Sequence, residues 1–198
     1  MGLRRTVALV AALNLAYFGV EATVAALIQS VSLFADSVDF LEDAAVNVLV
    51  LVGLGLAAGW RRLIALVLAA LMVIPGVAAL LTAAGKLLDS AAIVPEPMLL
   101  TATGLGALAV NSVAALMLAR VRDRGGSLTR AAFLSARNDV LANIAIIAAG
   151  LITALRPSIW PDLIVGLAIA AINITAAWEV YGAAMGEGDD DDVSAIRP

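Results

Sequence analysis

Ser32-Leu33-Phe34-Ala35-Asp36-Ser37-Val38-Asp39-Phe40-Leu41-Glu42-Asp43-Ala44-Ala45-Val46-Asn47 runs without a break into Val48-Leu49-Val50-Leu51-Val52. An acid-bearing stretch that leads into so apolar a run reads as a single membrane helix carrying Asp36, Asp39, Glu42 and Asp43. Keeping an ionisable group at mid-bilayer costs roughly 2.5–3.5 kcal/mol on insertion scales, so such groups mark ion or proton paths. At 100° per residue, Asp36, Asp39 and Asp43 fall within about 60° of one another, with Asn47 beside them and Glu42 on the flank. The stripe attracts cations, and the remaining helices are expected to bury it.

Composition agrees with a membrane protein. The 198 residues are 63% hydrophobic and 14% charged, and the mean hydropathy is +1.02. That apolar share is far above a soluble domain's. The absence of Cys and His excludes disulfide, thiolate and imidazole chemistry, so any metal site is built from oxygen. No basic patch with interleaved aromatics points to nucleic acid. No nucleophile–base pair or cofactor motif points to an enzyme.

Apolar runs of spanning length predict an all-α polytopic protein with six helices, about 6–29, 31–58, 63–84, 98–119, 130–153 and 161–184. These form one transmembrane domain over 1–185, and an acidic, disordered tail follows over 186–198, with Asp189-Asp190-Asp191-Asp192 at its centre. Pro75-Gly76 is expected to kink helix 3. Lys86 to Pro97 reads as a loop, and Arg156 to Asp162 as a tight turn. Arg4, Arg5, Arg61, Arg62, Arg120, Arg122, Arg124 and Arg130 lie on one side of such a bundle, and Lys86 and Arg156 on the other. The positive-inside rule then places both termini in the cytoplasm. Trp60, Trp178 and Tyr181 fall at the inner interface and Trp160 at the outer one. With a rise of 1.5 Å per residue, Asp39 and Asp43 lie roughly 12 and 18 Å from the outer end, and Asp139 of helix 5 roughly 14 Å from the inner end. All three converge on the midplane of a core about 30 Å thick.

Helix 5 carries Ser135, Asp139 and Asn143 on one face, with Arg137 opposite. Asp39 to Asn47 aligns with Ser135 to Asn143, and both contain Asp-x-x-x-Asn. Helices 2 and 5 are the middle helices of two halves with opposite orientation, the pattern of an inverted repeat around a midplane site.

At these residues the chain resembles the transmembrane domain of the cation diffusion facilitator family. The likeness covers about residues 5–184. It lies in six helices with cytoplasmic ends, in the Ser32-Leu33-Phe34-Ala35-Asp36-Ser37 run, in paired positions four apart on helices 2 and 5, and in Asn14, Tyr17 and Glu21 on helix 1. The resemblance implies a metal–proton antiporter, a homodimer, and a metal site at Asp39, Asp43, Ser135 and Asp139. Family members usually place His or Asp where Ser135 stands, so Asn143 or a water is expected to complete the shell. Most members also carry a soluble C-terminal domain, which this chain is expected to lack.

Three carboxylates with Ser135 Oγ, the Asn143 oxygen or water suit Mn²⁺ and Mg²⁺ and tolerate Fe²⁺ and Co²⁺. Zn²⁺ prefers His and Cys but also binds carboxylates. Metal binding requires deprotonated ligands and so expels protons. The expectation is a secondary transporter in a bacterial-type inner membrane. It exports a divalent metal cation as substrate in exchange for protons, with membrane lipid as its surroundings and no tightly bound cofactor. Asp39, Asp43 and Asp139 are the ligands. Asp36, Asn47, Glu21 and Asn14 lie on the entry path or support the site. The alternative is a non-transporting relative serving as a scaffold or partner subunit. A passive channel is disfavoured, because a tight carboxylate site would hold its ion.

Overall fold

The first helix, α1 (Leu3–Ile28), turns into α2 (Val31–Gly53) across Gln29 and Ser30 alone. Gln29 takes the left-handed conformation, φ 54°, which glycine usually supplies at helix ends. Its N–H and that of Ser30 both reach back to the Ala25 carbonyl and close the helix. A computed structural model of the chain describes residues 2–53, 58–89, 92–121 and 126–173, with side chains described over 2–51, 67, 74–89, 92–121 and 136–173. Within it follow α3 (Ala58–Leu88), α4 (Pro97–Ala119), α5 (Gly126–Leu155) and α6 (Trp160–Asn173). The described residues contain no strand. The fold is all-α and polytopic, as expected.

The packing is polar inside and apolar outside. Leu27, Ile74, Leu81, Leu116, Leu141 and Ile172 are exposed, from 63% at Leu116 to 74% at Leu27, while Asn14, Glu21, Asp36, Asn111, Asn143 and Asp162 are buried. Water would reverse that arrangement, whereas lipid requires it. Leu3–Ile28, Pro97–Ala119 and Ala136–Leu155 are long and apolar enough to cross a membrane. One buried cluster joins all six helices: Ala25 and Ile28, Leu33 and Ala35, Ala79, Leu100, Ile146 and Ile169. Helix α1 packs on α2 and α4, α4 on α5, and α2 also on α3 and α5. The α4–α5 contact is close because Gly104 lies against Ile146 and Ile147, and Gly150 against Thr101. Small residues permit such approach where lipid offers no hydrophobic drive.

Several boundaries differ from expectation. Helix α3 continues to Leu88, so Lys86 is helical. It also begins at Ala58, so Arg61 and Arg62 lie in its first turns. Pro75 sits inside α3, which continues through it; membrane helices tolerate Pro where neighbouring groups satisfy the freed carbonyl. Helix α4 starts where Pro97 occupies the first turn and the Glu96 side chain accepts from the N–H groups of Met98 and Leu99. Helix α6 begins at Trp160, which makes Asp162 a first-turn residue. The tail over 186–198, Trp178, Tyr181, Arg122, Asp123 and Arg124 lie outside the described residues. The side chains of Trp60, Arg61, Arg62, Arg130 and Ser135 also lie outside them.

Asp162 holds the outer end of the bundle together. Helix α2 has no acid in its first turn, yet its free N–H groups and dipole favour an anion there. Asp162 supplies it from α6. Its carboxylate accepts from Val31 N at 2.9 Å, Ser32 N at 3.1 Å, Ser32 Oγ at 2.7 Å and Ser30 Oγ at 2.6 Å. Lys86 Nζ from α3 pairs with the same group at 3.3 Å, and both side chains are buried. The approach of α6 requires Gly166, where an added Cβ would lie 2.6 Å from Ser32 N. Gly166→Ala is therefore expected to cost about 1–3 kcal/mol through overpacking. Thermal unfolding in detergent checks this, and an unchanged midpoint would refute it.

Candidate functional site

The polar face of α1 meets the acid stripe of α2 in antiparallel register. Asn14 Nδ2 donates to Asp43 Oδ2 at 3.3 Å. Tyr17 lies against Phe40 with ring centroids 5.0 Å apart. Glu21 faces Asp36, with the two carboxyls in hydrogen-bonding reach of each other. Steps of three and four residues up α1 match the same steps down α2, as helices on a short connection require. Tyr17 Oη also donates to the Thr103 carbonyl of α4 at 2.7 Å, which fixes α1 between α2 and α4.

From the other side, α5 presents Asp139 and Asn143. Asp139 lies near enough to Asp39 and Asp43 for their charges to interact directly. Arg137 is exposed and donates to Asn138, so it does not pair with Asp139, as its opposite face implies. Asn143 is engaged at both ends of its amide. Its Nδ2 donates to Asp36 Oδ2 at 2.8 Å, and its Oδ1 accepts from Asn111 Nδ2 of α4 at 3.1 Å. Asn47 Nδ2 donates to the Asp43 backbone carbonyl at 2.8 Å, while its Oδ1 is buried without a partner.

The predicted residues thus fall into two groups along α2. Asp39, Asp43 and Asp139 lie within range of one another's charge, with Asn14 and Asn47 around Asp43. Asp36 sits one turn toward the outer end, with Glu21 and Asn143. Among the described residues, no three acids converge at the spacing of a finished metal cage; Ser135, whose side chain is not described, stands one turn from Asp139. Asp36, Asp43, Asn14, Glu21, Asn47 and Asn143 are all at most 2% exposed, and Asp39 and Asp139 are half-buried. Burial strengthens every electrostatic interaction around the site.

Sequence reasoning passed over Asn111, although a lone Asn in so apolar a helix is a legible signal. It also passed over the outer cluster. Ser30 and Ser32 at a helix start with no local acid, facing a lone Lys86, were the available hints.

No curated protein matches the chain. A family model described as the cation efflux transmembrane domain matches residues 7–184. That span includes every helix that builds the site. The chain belongs to the cation efflux family, as an integral membrane protein of a family that transports metal cations.

Proposed function

We propose that this chain exports a divalent metal cation from the cytoplasm in exchange for protons, as a homodimer in a bacterial-type inner membrane. Asp39, Asp43 and Asp139 are its ligands, and Ser135 or water completes the shell. The observation that supports this most is the approach of Asp139 from α5 to Asp39 and Asp43 from α2, near enough for their charges to interact. Acidic side chains inside a membrane are costly to keep ionised, and a divalent metal or protons can offset that cost. All-oxygen chemistry points to Mn²⁺, Fe²⁺ or Co²⁺, with Zn²⁺ and Cd²⁺ as competitors. Asn14 and Asn47 hold Asp43 in place. The homodimer and the direction of transport rest on the family resemblance.

The test is proton release on metal binding. Adding each metal in turn to weakly buffered, detergent-solubilised protein is expected to acidify the solution, with the largest release from the transported ion. A well-folded protein that binds none of the five metals would sink the proposal.

A further inference from the structure

At the end of the bundle that holds the Asp162 cluster, a cavity of about 540 Å³ opens between the α1–α2 turn, the last turns of α3 and residues 92–93. Its volume falls within the roughly 300–1,000 Å³ of small-molecule sites. Gln29, Leu81, Gly85, Lys86, Asp89 and Ile93 line it, and none of them belongs to the metal site. Leu81, Gly85 and Asp89 follow at four-residue steps and share one face of α3. The Asp89 N–H bonds the Gly85 carbonyl at 3.0 Å, which carries the helical spacing past Leu88. At Gly85 that face is open, since an added Cβ meets nothing within 4 Å.

Three kinds of group succeed one another along this wall. Leu81 is 68% exposed and lies nearest the midplane, and Ile93 adds a second exposed apolar side chain. Lys86 stands about 7.5 Å further out than Leu81, and Asp89 about 4.5 Å beyond Lys86, at 1.5 Å per residue. Lys86 is buried, at 4% exposure. Its ammonium carries three N–H donors, and Asp162 Oδ2 accepts at 3.3 Å. Asp162 also accepts from four groups at the start of α2. That helix terminus supplies part of its counter-charge and leaves the ammonium able to serve a second anion.

From the midplane outward the order is apolar wall, cation, acid. A phosphatidylethanolamine presents the complementary order: acyl chain, phosphate, primary ammonium. Pockets with basic groups between membrane helices bind lipid headgroups in this way. Phosphatidylcholine offers Asp89 no N–H, and phosphatidylglycerol offers it no cation.

We infer that this cavity is a binding site for phosphatidylethanolamine, with the phosphate on Lys86 Nζ and the ammonium between Asp89 and Gln29. The site stands apart from the metal ligands and takes the same lipid whether or not the protein moves a metal. Occupied, it ties the lipid headgroup to the ion pair that joins α3 to α6.

The test is native mass spectrometry of the full chain in detergent, with phosphatidylethanolamine, phosphatidylcholine and phosphatidylglycerol added at equal concentration. Phosphatidylethanolamine is expected to be retained about tenfold over either competitor, the worth of one charge-assisted hydrogen bond. Gly85→Phe fills the open face and is expected to abolish that retention. Asp89→Lys is expected to move the preference to phosphatidylglycerol. Both positions are exposed, so both variants are expected to fold, which circular dichroism checks. Inorganic phosphate at the same concentration is expected to leave the lipid bound, because it brings no acyl chain to Leu81 and Ile93.

Equal retention of the three lipids overturns the assignment. So does undiminished retention in folded Gly85→Phe, or an unchanged preference in folded Asp89→Lys. Displacement of the lipid by inorganic phosphate would make the cavity a site for free anions instead.

Discussion

Replacing Asp162 by alanine is expected to lower stability by about 3–5 kcal/mol, the cost of stripping one partner from a buried ion pair. The loss extends beyond the pair. Lys86 is left as an unpaired buried cation. The Val31 and Ser32 N–H groups and the Ser30 and Ser32 hydroxyls lose their acceptor at the start of α2. Three helices separate at one point, because Ser30 and Ser32 precede and open α2, Lys86 ends α3 and Asp162 begins α6. Thermal unfolding in detergent is the measurement. Adding Lys86→Met to Asp162→Ala is expected to recover part of the loss, since it removes the stranded charge. A single variant with an unchanged midpoint, or a double variant less stable than the single, contradicts this account.

Asp139→Ala is expected to weaken divalent-metal affinity by more than about 100-fold, beyond the 10–100-fold typical of outer-shell partners. It removes the one carboxylate that α5 brings to Asp39 and Asp43. Asn14→Ala, which takes away only the donor to Asp43 Oδ2, belongs in that smaller range. Arg137→Ala is the control. Its guanidinium is exposed and donates to Asn138, so its loss leaves affinity unchanged. Calorimetric titration of purified protein measures all three. Equal losses at Asp139 and Arg137 would place the metal elsewhere.

What was legible beforehand was whatever a single helix determines. The stripe of Asp36, Asp39 and Asp43, the shared face of Asp139 and Asn143, and the outward Arg137 all follow from 100° per residue. The pairing of α1 with α2 was nearly legible too. Asn14, Tyr17 and Glu21 repeat, in reverse, the spacing of Asp43, Phe40 and Asp36, and the short turn at Gln29 and Ser30 forces the two helices together. Partner choice across distant elements was not legible. Asn143 carries the right oxygen for a metal shell, but Asn111 donates to that oxygen while Asp36 accepts from the amide nitrogen, and nothing local to α5 reveals that. Asp162 stands in a Pro-bearing segment that reads as a turn, and its partners lie more than a hundred residues away at Ser30, Val31 and Ser32. Lys86 looked like loop because polar residues and Pro95 follow it, yet burial against Asp162 keeps it helical.

The most direct measurement of the central claim is metal uptake into proteoliposomes holding an imposed pH gradient, with Mn²⁺, Fe²⁺, Co²⁺, Zn²⁺ and Cd²⁺ compared and Asp139→Ala in parallel. The account predicts uptake of at least one of these ions that collapses with the gradient and is absent in the variant. Gradient-independent flux would make the protein a channel. No flux of any ion through folded protein, or flux untouched by Asp139→Ala, would contradict proton-coupled transport through the aspartate site.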